Sequence, residues 1–88
     1  MPKVAFNYPE TAKAAQQALR AAFPGSAIET ERGFEGRVHV KIVSPAFNGK
    51  NETRKQNLVW EALRAKLDAM DLQGVTIVMA YGMDELPG

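Results

Sequence analysis

The chain has 88 residues, 45% of them hydrophobic and 24% charged, with no cysteine, one histidine and a formal net charge of +1. That length supports one hydrophobic core and not two, and the composition is that of a globular rather than a disordered chain. It excludes disulfides, Cys/His zinc sites and cysteine nucleophiles; no apolar run reaches the roughly 18 residues of a membrane-spanning helix, and residues 1–7 hold no apolar secretory segment, so a cytoplasmic location is expected.

Residues 10–23 are predicted to be helical. Pro9 suits a first turn, where a missing N–H costs little, and Ala12, Ala15, Leu19 and Ala22 recur at three- and four-residue steps. Phe23-Pro24-Gly25 stops the helix. Residues 26–32 read as a short strand and Gly33-Phe34-Glu35-Gly36 as a turn between strands. Residues 37–44 carry the clearest strand signal, because Val38, Val40 and Ile42 alternate with Arg37, His39 and Lys41. Val43 breaks that alternation and predicts a strand end buried on both faces. Residues 44–51 read as a loop, with Pro45 stopping the ladder and Asn48-Gly49 favouring a turn. A long helix is predicted over 52–70, capped by Asn51, with Leu58, Val59, Ala62, Leu63, Leu67 and Met70 as its apolar stripe and residues 71–74 as its end. Val75 to Ala80 reads as a buried strand, Met83 to Leu86 as a final short helix, and Pro87-Gly88 as its stop.

The order α-β-β-α-β(-α) predicts a single α+β domain over residues 1–88, with a three-stranded mixed sheet and helices on one face. The short turn makes the first two strands antiparallel. The long helix makes the last strand parallel to an earlier one through a right-handed crossover.

Charge is unevenly spread. Residues 1–36 are neutral, residues 37–66 carry +5, and residues 67–88 carry −4. The basic block is either a solvated helix face balanced by the acidic tail or an attractor of polyanions. Within it, Asn48, Lys50, Arg54 and Lys55 surround a loop and helix start that suit phosphate contacts in the manner of a helix-turn-helix.

Few residues suggest reactive chemistry. His39 falls on the wetter face of its strand with no evident partner, so it reads as a partly exposed strand residue and not as a base or ligand. Ser44 has no matching His and acid. The GxxG spelling of residues 33–36 resembles the phosphate-contacting loop of KH modules, but here it joins two strands and carries Glu35, so it reads as a hairpin turn. Trp60 lies about 200° round the helix from Leu58. It is expected to be partly buried at the edge of the core, or to serve as an aromatic anchor for a partner.

The run Ile42-Val43-Ser44-Pro45-Ala46-Phe47-Asn48-Gly49-Lys50, then Arg54, then Leu58-Val59-Trp60-Glu61-Ala62-Leu63, resembles the core of the BolA family. Residues 22–28, Tyr81 and Asp84-Glu85 extend the likeness over roughly residues 12–86. The resemblance implies an α-β-β-α-β-α fold related to class II KH topology and a non-enzymatic role without a small-molecule substrate. It implies a monothiol glutaredoxin as partner, commonly with a shared [2Fe–2S] cluster, and in some members DNA-binding regulation linked to stress. The family's cluster histidine, just before the last strand, falls on Gly74, or on Thr76 in a shifted register. The loop over residues 32–37 offers neither Cys nor His, and a further family histidine aligns with Arg37, two residues before His39. The expectation is therefore a divergent BolA-like interaction module with no cofactor or metal of its own, docking its partner through Trp60, Tyr81 and the last strand. The alternative is a DNA-binding regulator using residues 47–55.

Overall fold

The computed structural model describes residues 6–86. Asn7 caps helix α1, Tyr8–Ala22, by accepting the Glu10 amide on its side chain, and Pro9 sits in the first turn. Ala12, Ala15, Ala18 and Leu19 are buried, together with Thr11. Ala22, expected on the buried face, is exposed at the last position of the helix, and Ala18 takes its place. The small side chains let α1 pack closely on its neighbours.

Strands β1, Ala27–Arg32, and β2, Val38–Val43, pair antiparallel, with Thr30 opposite Val40. Between them Phe34–Gly36 forms a 3-10 turn in which Glu35 has φ +56°. Helix α2 spans Glu52–Lys66, capped by Asn51, and strand β3, Val75–Tyr81, pairs parallel with β2. The sheet order is β1-β2-β3. Val38, Val40 and Ile42 are fully buried beneath the helices with Val59, Leu63 and Phe47.

Three expectations are corrected. The long helix ends at Lys66 rather than residue 70. Leu67 turns extended, Asp68 caps a second helix by accepting the Asp71 amide at 2.8 Å, and residues 71–74, expected to stop the helix, are part of α3, Ala69–Gly74. Met70 accordingly leaves the apolar stripe and is 55% exposed. Strand β3 is buried on one face only, because no element among the described residues covers the far side of the sheet; Ile77 and Met79 stand exposed there. Val43 is half-buried, as a strand end with one uncovered face must be.

The final turn is a 3-10 turn, Met83–Glu85. The stop expected at Pro87-Gly88 and the N-terminal segment before Phe6 lie outside the described residues. No helix among the described residues is long and apolar enough to cross a membrane.

Candidate interaction site

The loop after β2 is built from within. Ser44 accepts the Ala46 amide and starts a 3-10 turn, Pro45–Phe47. Phe47, at the start of the loop considered for DNA contact, is fully buried against Phe23, with ring centroids 5.0 Å apart. The loop is therefore anchored by a core side chain, which rigidifies the start of α2.

The four residues expected to meet phosphates divide into two pairs. Asn48 accepts the Met83 amide at 2.6 Å and the Asp84 amide at 3.4 Å, so its side chain holds the C-terminal turn. Lys55 is only 4% exposed, and its ammonium donates to both oxygens of Glu85, at 2.8 and 3.0 Å, with Glu52 at 3.9 Å. Lys55 is thereby withdrawn from any external phosphate. The hydrogen bond to Glu85 raises the Lys55 pKa above the ordinary lysine value. The Glu85 carboxylate is pushed below its ordinary range, first by the Gly82 amide and then by Lys55. Lys50 is half-buried and Arg54 exposed, and neither makes an ion pair among the described residues. Asp84 accepts the Gly49 amide at 2.9 Å, setting two carboxylates beside this loop.

Trp60 and the last strand are brought together. The Trp60 indole N–H donates to Gln56 Oε1 at 3.1 Å, and Gln56 Nε2 donates to the Val78 carbonyl at 2.7 Å. Trp60 is half-buried against the core, as expected for a residue off the main stripe. Tyr81 lies at the end of β3, opposite Val43, with the Lys41 ammonium 5.9 Å from its ring centroid. Trp60 on the helical side and Tyr81 at the end of β3 thus flank one edge of the sheet. Gln56, which links α2 to that edge, carries no signal in the sequence that would single it out.

The residues at the positions of the family's ligands do not fit a cluster. Gly74 is buried, and a β-carbon there would meet Phe6 Cδ1 and Thr11 Cγ2, each at 3.2 Å. Phe6 also donates its amide to the Glu35 carbonyl at 2.9 Å, and the Arg37 guanidinium lies 5.5 Å from its ring centroid. Arg37 in turn pairs with Glu35 at 3.1 Å. One aromatic residue therefore bridges the hairpin turn and the start of β3, the two places expected from the resemblance to hold ligands. Thr76, the position given by the shifted register, is exposed next to a register irregularity between β2 and β3. His39 faces Glu31 across the sheet, and its Nε2 would lie 2.6 Å from a β-carbon on Gly33, so the ring packs on a glycine. Among the described residues no group of three or more His, Cys, Asp or Glu is placed to hold a metal ion.

No protein-family model matches the sequence, and no curated protein matches it. Among solved structures, the chain is similar to BolA1 from Arabidopsis thaliana, with a TM-score of 0.70 and 24% sequence identity over 88% of this chain and 96% of that one. The chain has a BolA-like fold.

Proposed function

We propose that this protein is a non-enzymatic interaction module that docks a monothiol glutaredoxin-type partner without contributing a ligand to an iron–sulfur cluster. The observation that carries the reading is the Phe6 ring over Gly74, which fills the space a ligand side chain at that position needs. The docking face comprises Trp60, strand β3 and Tyr81. Trp60 presents a partly buried aromatic surface, the type of group that dominates binding energy at interfaces.

The test is to mix the protein with a cluster-loaded monothiol glutaredoxin. A complex is expected by size-exclusion chromatography, with the visible circular dichroism of the glutaredoxin cluster unchanged. A new heterocomplex spectrum overturns the ligand-free reading, and absence of any complex overturns the partner.

A DNA-binding role draws on Lys50 and Arg54 alone, since Asn48 and Lys55 are engaged by the C-terminal turn. Two phosphate contacts on duplex DNA correspond to a log–log salt slope of only about −2.

A further inference from the structure

The two outer strands of the sheet, whose outer edges are unpaired among the described residues, differ in chemistry. Strand β1 carries Glu29, Glu31 and Arg32 within its six residues, and charges of this kind keep an edge from pairing with another chain. Strand β3 forms the opposite edge and has no charged residue, proline or glycine over Val75–Tyr81. It is the only uncharged strand among those described. On the uncovered face its Ile77 and Met79 are 45% and 41% exposed.

The hydrogen bonds fix which backbone groups face outward. Ser44 N–H donates to the Tyr81 carbonyl at 3.0 Å, continuing the β2–β3 ladder. Backbone direction alternates along a strand, so Ile77, Met79 and Tyr81 address β2 while Val78 and Ala80 address the free edge. Gln56, donating to the Val78 carbonyl, marks that edge and occupies one of its acceptors.

We propose that this edge pairs antiparallel with the same edge of a second copy of the chain, about a two-fold axis at Met79. The register follows from the outward residues. Val78 of each copy pairs with Ala80 of the other, so that both N–H and C=O groups of the two residues are used. On the uncovered face Met79 then meets its counterpart, and each Ile77 faces the other copy's Tyr81, an aromatic–β-branched pairing of the stabilising kind. An uncharged edge gives a charged strand nothing to orient against and complements an uncharged strand of similar length, which this chain itself supplies. The net charge of +1 sets little repulsion between copies, and the pair is closed by its symmetry. Gln56 must release the Val78 carbonyl for pairing, and it therefore acts as a gate against it. The pairing uses the same strand as the proposed glutaredoxin-docking face, so a second copy and a glutaredoxin compete for it, and the chain by itself tests the pairing apart from that reading.

Sedimentation equilibrium of the full chain, from micromolar to millimolar concentration, tests it. A reversible monomer–dimer equilibrium is expected. Gln56→Ala should tighten it about 2–10-fold, the worth of freeing one competing hydrogen bond. Met79→Lys and Met79→Glu should each weaken it at least about tenfold by placing like charges at the axis, with far-ultraviolet circular dichroism verifying that both variants fold. An equimolar mixture of the two variants should recover the dimer, because the mixed pair alone puts opposite charges at the axis. A wild-type chain that stays monomeric throughout overturns the proposal. So does a dimer that both charged variants retain, or a mixture that associates no better than either variant.

Discussion

At Gly36 the backbone runs at φ +79°, and a β-carbon would overlap the Phe6 carbonyl oxygen. Both constraints act on the turn that holds Phe6 in place. Gly25 has a similar φ of +82° but open space around its missing β-carbon. Gly36→Ala is therefore expected to cost more than Gly25→Ala. The left-handed backbone alone accounts for about 1–2 kcal/mol, and the collision adds to it only at residue 36; urea unfolding of the two variants measures the difference. Phe47 carries a different lesson. It sits in a loop whose composition looks exposed, yet it is fully buried. Phe47→Ala is expected to lose about 3–5 kcal/mol of stability. The sequence offers no period to reveal this, because a single aromatic in a turn has no neighbours at strand or helix spacing.

Among the elements, the break between α2 and α3 rests on one side chain. Asp68 accepts the Asp71 amide and starts the second helix. Asp68→Ala is expected to cost about 0.5–2 kcal/mol, the usual worth of an N-cap, measurable by thermal unfolding. The break was hidden in the sequence because Leu67 and Met70 continue the apolar spacing of α2 through it. The strands and α1 were legible from alternation and helical spacing, and the parallel direction of the last strand from the length of the intervening helix; that its neighbour is β2 was not. The exposed face of β3 was not, since an apolar run reads the same whether one face is covered or two. The candidate site divided along similar lines. Trp60 at the edge of the core followed from its position off the stripe. The engagement of Lys55 did not, because its partner Glu85 is 30 residues away and belongs to an acidic stretch that reads as surface.

The molecule as a whole is closed by that pair, which joins the C-terminal turn to α2. Glu85 has a lowered pKa, so its contribution is present above the ordinary carboxylate range and is lost as pH falls through its depressed value. Lys55 has a raised pKa, so its contribution is present below the ordinary lysine range and is lost as pH rises through its elevated value. Thermal unfolding is therefore expected to show a loss of stability below about pH 4 that is smaller in Lys55→Met, where the pair no longer exists. An equal acid loss in both proteins contradicts the assignment.

The direction of the backbone along β3 also sets which of its amides meet solvent. Ile77, Met79 and Tyr81 point their N–H groups into the sheet, and Val78 and Ala80 point theirs away from it. Hydrogen–deuterium exchange at single-residue resolution should then alternate down this strand, slow and fast in turn, whereas in β2, flanked by a strand on each side, every amide should be slow. The last strand would thus carry, in the timing of its own isotope uptake, a record of how much of its outer margin is occupied.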